Sequence, residues 1–175
     1  MSAIEETTAA AAAGKDTHAG GGQPSGDVGG VHPDLVRLGM VHLPYGDAVY
    51  IMLDQAGLTP NEMVAGLRTE DPKRGPELVL TLSWEQDHPD LHDPAGLELS
   101  WSHLTGWAAR IGLDVKSLPV QDLAAPHVLA DAVLHLSVSG IAGAWMPEDR
   151  LARWADWRAL DAALTRAAER GQIAW

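Results

Sequence analysis

The sequence predicts an α+β fold: an antiparallel sheet of about four strands with helices packed on one face, preceded by a disordered N-terminal tail. Two stretches, residues 78–84 and 97–111, alternate apolar and polar side chains with the period of two that half-buried strands show. The longest helical patterns follow these strands instead of alternating with them, which favours an antiparallel sheet over a parallel one.

A β-hairpin is predicted at residues 96–111, and it is the centre of the expected sheet. Its first half places two leucines and Trp101 at every second position, and Trp107 resumes the alternation after the turn. Gly106 closes the turn, because glycine readily adopts the positive φ that tight reversals need. A strand that ends at Trp84 is the third member of the sheet.

The aromatic composition bears on the role of these tryptophans. The chain has seven Trp, two Tyr and no Phe. Because a buried indole removes roughly 150–250 Å² from water, Trp84, Trp101 and Trp107 are expected in the core. If the hairpin is exposed instead, Trp101, His103 and Trp107 are candidate binding residues. His103 itself is either a turn histidine stacked on an indole or a catalytic base, which needs a partner to orient it.

The segments that flank the hairpin are predicted from local patterns. Residues 48–53 are an apolar run of strand length and composition. Residues 59–62, Thr-Pro-Asn-Glu, match a helix-capping pattern and predict a helix that continues to Leu67. Residues 112–119 are expected to form a connector without regular structure.

Two helices are predicted in the C-terminal part. Asp122 is the expected cap of a helix with Pro126 in its first turn. Residues 148–170 predict a second helix, acidic at its start and basic at its end as the helix dipole favours, and Gly171 terminates it. The apolar pattern allows a break near residues 155–156.

The chain is expected to contain one folded domain. Residues 1–30 consist mainly of Ala, Gly, Thr and Ser with scattered charges. Such a segment buries too little apolar surface to offset the ~1–2 kcal/mol per residue that backbone ordering costs. We therefore expect a disordered tail at 1–30 and a single α+β domain at 31–175.

Net charge and cysteine content exclude several classes of function. The formal net charge is -12, from 24 acidic and 12 basic residues. This balance argues against a nucleic-acid ligand or an anionic membrane, since both are bound through Lys and Arg, and it permits a basic protein partner. The chain has no Cys, its first residues lack the basic segment and apolar run typical of a secretion signal, and no apolar run reaches the length of a membrane span. A soluble, cytoplasmic protein is expected.

An acidic stretch at residues 85–98 contains neither Lys nor Arg. The candidate residues for binding a basic partner are Glu85, Asp87 and Asp90. The candidate ligands of a divalent metal are His88, His92, Asp87 and Asp90, because imidazole nitrogens and carboxylate oxygens are suitable donors. Two prolines prevent a long helix that would place both histidines on one face, so an ordinary solvated loop is the alternative.

A second polar pattern lies on the helix predicted after Pro126. His127, Asp131 and His135 recur every four residues, which places them on one helix face. They form either an ordinary solvated face or a functional stripe. Trp145 and Trp175 lie outside the periodic segments, and if they are exposed they would contribute to an apolar patch with an acidic rim, a typical protein-binding surface.

Three segments of the chain resemble a family of small, uncharacterised actinobacterial proteins. They are the strand at residues 77–84, the Gly-Trp hairpin at 99–107 and the helix start at 123–127. Together they cover about the middle third of the chain. The resemblance implies an intracellular α+β domain, and it carries over no catalytic residue.

The motifs of several enzyme classes are missing from the sequence. It contains no Gly-x-Ser-x-Gly nucleophile motif, no Gly-x-x-x-x-Gly-Lys phosphate loop and no His-Glu-x-x-His zinc motif. We therefore expect a non-catalytic, acidic protein-binding module that acts on a basic partner, as an adaptor, immunity or antitoxin-like protein does. The alternative is a small metal-dependent enzyme that uses the His/Asp cluster of the 85–98 loop. No cofactor is expected apart from that metal.

Overall fold

The computed structural model describes residues 41–69, 75–91 and 95–174. The helices in these ranges are α1 (Leu43–Gln55), α2 (Pro126–Ser139) and α3 (Trp157–Glu169), and the strands are β1 (Glu62–Arg68), β2 (Glu77–Trp84), β3 (Leu97–Ser102), β4 (Gly106–Ile111) and β5 (Asp114–Ser117). The expected tail at residues 1–30 lies outside the described residues.

The strands form one antiparallel sheet in the order β1-β2-β3-β4-β5, so each strand pairs with its neighbour in sequence. This arrangement confirms the predicted α+β class with an antiparallel sheet. The sheet has five strands where about four were expected. Its order needs only short connections between neighbouring strands, because antiparallel strands can be joined by tight turns.

The predicted central hairpin is confirmed. Trp101 on β3 lies opposite Trp107 on β4, and Ser102 lies opposite Gly106 at the turn. Gly106 has φ +68, the left-handed conformation that the turn requires. The side chains of β2 alternate strictly between buried and partly exposed, so one face of the sheet belongs to the core.

Helix α1 packs against the buried face of the sheet. A Cβ at Gly46 would lie 3.0 Å from Cδ1 of Leu80, so the helix backbone approaches the sheet closely there. Tyr45 on the same helix meets the rings of Trp101 and Trp107 edge-on, with ring centroids 6.0 Å apart in both pairs. Such edge-to-face contacts add to the stabilisation from burial.

The indole N–H groups of the three tryptophans of the sheet all have acceptors. Trp84 donates to the carbonyl of Leu58 at 3.1 Å, and Trp101 donates to the carbonyl of Asp122 at 2.6 Å. Trp107 donates to the hydroxyl of Tyr45 at 3.0 Å, and this hydroxyl donates in turn to the carbonyl of Ala124 at 2.8 Å. These bonds join the sheet to the segments around it and leave no indole N–H of the three unpaired. The buried Tyr45 hydroxyl has a raised pKa because burial disfavours its charged form.

The strand predicted at residues 48–53 is wrong, because these residues lie within α1. Pro44 lies in the first turn of the helix, where its missing N–H costs nothing. The buried residues Tyr45, Val49 and Leu53 recur every four positions. This is the helical period, and it becomes visible only when the residues upstream of the apolar run are included.

The helix predicted from Thr59 is also wrong, since Glu62 begins strand β1. The hydroxyl of Thr59 donates to a carboxylate oxygen of Asp54 at 2.8 Å instead of capping a helix. The N–H of Asn61 already bonds to the carbonyl of Ser83 at 2.8 Å, so the chain has joined the sheet before Glu62. Pairing with β2 overrides the local capping signal.

Two further expectations differ from the structure. The connector at 112–119 contains the short edge strand β5. The second C-terminal helix begins at Trp157, because residues 152–154 bond instead to the segment before α2: Ala124 and Arg153 form an antiparallel bridge, and the N–H of Trp154 bonds to the carbonyl of Leu123 at 2.9 Å. Backbone groups used in this way are not available to a helix.

Helix α2 is confirmed, with Pro126 in its first turn, but its cap is Ala125 and no side chain caps it. The expected cap, Asp122, lies three residues before Ala125, so its side chain is too far along the chain to cap this helix. None of the helices in the described ranges has the length and apolarity needed to cross a membrane.

Candidate functional site

The hairpin residues proposed for binding are mostly enclosed. Trp101 and Trp107 are each 2% exposed and belong to the hydrophobic core. A partner that docks on the folded domain reaches neither ring. This placement agrees with the core role expected from the absence of phenylalanine.

His103 holds together three parts of the backbone. Its Nδ1 accepts the N–H of Leu78 at 3.1 Å, and its Nε2 lies 3.0 Å from the carbonyl oxygen of Ala174. A nitrogen that accepts and one that donates correspond to the neutral ring protonated at Nε2. Because both nitrogens are occupied, His103 in this geometry anchors the C-terminal segment to the hairpin and has no lone pair free to act as a base.

A polar cluster lies beside the hairpin turn. Ser102 donates from its hydroxyl to the carboxylate of Glu77, and its oxygen accepts the N–H groups of Leu104 and Thr105 at 3.0 and 3.3 Å. Arg68 pairs with the same carboxylate at 2.9 Å. Burial alone would raise the pKa of Glu77, but the hydrogen bonds from Ser102 and Arg68 outweigh it and lower the pKa. The cluster keeps the turn in place with a charged carboxylate.

The ring of His42, a residue that the sequence did not single out, packs against Trp101 at a tilt of 31°. The two ring centroids are 5.7 Å apart. His42 is fully buried, its Nε2 donates to the carbonyl of Val79 at 2.8 Å, and its Nδ1 has no hydrogen-bond partner. A neutral ring fits this environment, and burial lowers the pKa of His42 accordingly.

The acidic loop exposes its carboxylates, as an electrostatic binding surface requires. Glu85, Asp87 and Asp90 are all exposed. At the base of the loop Glu98 forms an ion pair with Arg110 on the neighbouring strand, so part of the charge of the stretch is compensated. The loop offers little apolar surface, because Leu91 packs against the core. The binding role of the three carboxylates stays a prediction.

The proposed metal ligands are only partly visible. His92 lies outside the described residues. His88 accepts the N–H of Asp90 on its Nδ1 at 3.2 Å, and only 10% of its side chain is exposed. Within the ranges that the structure describes, no three His, Cys, Asp or Glu side chains are grouped so that they could hold a metal ion. The metal site therefore also stays a prediction.

A groove with a volume of about 850 Å³ runs along α2. One wall is the α2 face that carries the polar stripe, and the other is the segment that follows the helix. The α2 wall consists of His127, Val128, Asp131, Leu134, His135, Val138 and Ser139, and the second wall consists of Trp145, Met146, Pro147, Glu148 and Asp149. The groove thus brings together the predicted stripe and Trp145, which the sequence left unconnected.

The second wall folds back antiparallel to α2. The indole N–H of Trp145 donates to a carboxylate oxygen of Asp131 at 3.1 Å, and Asp149 lies 4.0 Å from Nε2 of His127. At the other end, a Cβ on Gly143 would lie 2.9 Å from Nε2 of His135, so only glycine allows so close an approach without a shift. These three contacts run in opposite order along α2 and along the segment that follows it.

Lys116 on β5 holds the bend between α2 and the second wall. Its ammonium group donates to the carbonyls of Ile141 and Gly143 at 3.2 and 2.8 Å. The edge strand β5 and the groove are therefore linked, and neither was visible in the sequence pattern.

The groove combines exposed apolar side chains with acidic ones. Leu134, Val138 and Met146 are 53%, 66% and 63% exposed, which is high for large apolar residues. Glu148 and Asp149 are exposed at the rim. No Lys or Arg is among the described residues that line the groove. An apolar surface with an acidic rim is suited to a partner that is both apolar and basic.

Comparisons with protein-family models, with curated proteins and with solved structures find no match to this chain. The resemblance to small actinobacterial proteins stays a prediction.

Proposed function

We propose that this protein is a non-catalytic, acidic protein-binding module that holds a basic protein partner, as an adaptor, immunity or antitoxin-like protein does. The observation that carries the proposal is the groove along α2, where exposed apolar side chains and exposed carboxylates share one concave surface. The overall charge of -12 supports a basic partner, because it attracts such a partner over the whole surface.

The groove suits this function better than the acidic loop does. Exposed charges alone contribute little to affinity, since water and salt screen them. Burial of a large apolar side chain that is now half exposed contributes on the order of 1 kcal/mol. Leu134, Val138 and Met146 offer three such side chains. The loop carboxylates at Glu85, Asp87 and Asp90 would then steer a partner towards the domain without anchoring it.

Site-specific cross-linking tests the proposal. A photoreactive amino acid replaces Leu134 in the groove, and the full chain is irradiated in a low-salt lysate of the cells that naturally make it. We expect a cross-linked protein with an excess of Lys and Arg, identified by mass spectrometry, and we expect the yield to fall as NaCl is added because salt screens the attraction.

The matched control replaces Leu113, which is fully exposed on the turn between β4 and β5 and is not among the residues that line the groove. The same partner should not be captured from this position. Equal capture from both positions, or an acidic protein at position 134, would contradict the proposal. Capture only from a photoreactive group at Gln86 would move the function to the acidic loop.

A further inference from the structure

We infer that the groove along α2 is polarised along its length and accepts a partner segment that carries Lys or Arg at one end and large apolar side chains at the other. The inference rests on the proposed function and specifies the partner of that site. It follows from the way in which the residues of the two walls face each other along the groove.

One end of the groove is acidic. The N-terminal turn of α2 brings His127 to within 4.0 Å of the carboxylate of Asp149, and Glu148 precedes Asp149 on the same wall. Both carboxylates are exposed and neither forms an ion pair with Lys or Arg among the described residues. Asp131, one turn further along α2, already accepts the indole N–H of Trp145. The free carboxylates of the groove are therefore concentrated at its His127 end.

The other end of the groove has exposed apolar side chains and no carboxylate among its described lining residues, whereas the exposed Met146 lies next to Trp145 on the second wall. Leu134 and Val138 lie one turn apart on the second half of α2 and are 53% and 66% exposed. Next to this end the chain leaves α2 through Gly143, which lies close to His135 and whose carbonyl accepts a hydrogen bond from Lys116. The Lys116 ammonium group is used by two backbone carbonyls and compensates no carboxylate of the rim.

The two ends are far enough apart to bind different side chains of one segment. Residues 127 and 138 are separated by eleven positions on one helix, which corresponds to about 16 Å at 1.5 Å per residue. A partner segment of about five extended residues, or about eleven helical ones, spans this distance. Its basic group and its apolar group then lie in separate parts of the groove.

Two peptides of equal composition test this inference on the full chain. In the block peptide, Lys residues are grouped at one end and Leu residues at the other, and in the mixed peptide the same residues alternate. Binding of fluorescently labelled peptides is measured by anisotropy at several NaCl concentrations. We expect the block peptide to bind about tenfold more tightly than the mixed one, because only the block peptide satisfies both ends at once.

Variants at each end separate the two contributions. Glu148→Gln with Asp149→Asn should weaken binding of the block peptide about five- to tenfold at low salt and flatten its salt dependence. Leu134→Ser with Val138→Ser should weaken it about tenfold at every salt concentration and leave the salt dependence unchanged. The control, Asp87→Asn with Asp90→Asn, removes two charges from the acidic loop and should affect both peptides equally.

The outcomes distinguish the inference from the proposed function. Equal affinity of the two peptides, with both weakened by the groove variants, would overturn the polarity and leave the protein-binding role standing. The inferred polarity of the groove would also be overturned if the two pairs of substitutions changed the salt dependence of peptide binding in the same way. If none of the groove variants changed the affinity of either peptide, both proposals would be overturned together. The melting temperature of each variant, measured in parallel, excludes unfolding as the cause of lost binding.

Discussion

His42 is a buried side chain that makes the stability of this protein depend on pH. It is fully buried between Trp101 and the carbonyl of Val79, and its unpaired Nδ1 has no acceptor for a second proton. Burial lowers the pKa of His42 from its ordinary value of 6.5, whereas the bond to Val79 acts in the opposite direction and does not outweigh it. The folded protein therefore resists protonation of this ring.

We predict that acid destabilises the domain partly through His42. Below pH 6.5 the unfolded chain binds a proton at this ring while the folded chain does not. The free energy of unfolding therefore decreases as the pH is lowered from 6.5 to the lowered pKa of the folded state. Above pH 6.5 the contribution is fully present. Chemical denaturation between neutral and mildly acidic pH measures this slope.

The control for this prediction is His42→Gln, which keeps a side-chain N–H for the Val79 carbonyl and cannot titrate. The variant is expected to be less stable at neutral pH but to lose less stability on acidification. Parallel pH profiles for the two proteins would show that His42 carries no part of the acid sensitivity. The other histidines are common to both proteins and cancel in the comparison.

At the scale of the elements, one position at the junction between β2 and β3 tolerates no residue larger than glycine without strain. Gly96 has φ +77, and a Cβ there would lie 2.6 Å from the carbonyl oxygen of Trp84 and 3.1 Å from the backbone of Glu85. These neighbours are backbone atoms at the end of β2 and just after it, so they cannot move aside as a flexible side chain would. Both the conformation and the space at this position require glycine.

We predict that Gly96→Ala destabilises the domain clearly more than Gly112→Ala does. Gly112 also has a positive φ, +58, but no described atom lies within 4 Å of a Cβ there. Gly112→Ala should cost about 1–2 kcal/mol for the left-handed conformation alone. Gly96→Ala should cost about 1–3 kcal/mol more, because the methyl group must be forced against the backbone.

Urea denaturation of the two variants and the parent chain measures both effects. Equal losses of stability would show that the junction relaxes to make room for the methyl group. A loss at Gly112 larger than that at Gly96 would contradict the close approach of β2 and β3 at this point.

At the scale of the whole molecule, the excess of acidic residues dominates the electrostatics. The chain carries 24 acidic and 12 basic residues. The described ion pairs, Arg68 with Glu77 and Arg110 with Glu98, use two of the bases within the sheet. The excess negative charges repel one another in the compact state, and dissolved salt screens this repulsion.

We predict that NaCl raises the melting temperature of the full chain at neutral pH by on the order of a few degrees between low and physiological ionic strength. Thermal unfolding followed by circular dichroism measures this rise. Asp87→Asn with Asp90→Asn reduces the net charge by two and should make the rise smaller. A melting temperature that falls with NaCl would mean that the ion pairs contribute more than the repulsion does.

The sequence by itself determined the parts of the fold whose signal is local and repeated. The strand at 77–84 and the hairpin at 97–111 were predictable because alternation over six or more residues matches the period of a strand and not that of a helix, and the tryptophans on the apolar side identify the core face. Helix α2 was predictable from Pro126 and its apolar face. The acidic character of the chain follows from composition alone.

Tertiary structure decided the elements whose local signals are short. A six-residue apolar run became part of α1 and a capping pattern became the start of β1, because the sheet offers hydrogen-bond partners and an apolar surface that outweigh local preferences of a few tenths of a kcal/mol. The groove also depended on long-range contacts. Bonds of Ala152 and Trp154 with the segment before α2 take the place of the expected helix start. The segment before them lies along the helix face that carries His127 and Asp131, where Trp145 and Asp149 contact these two residues.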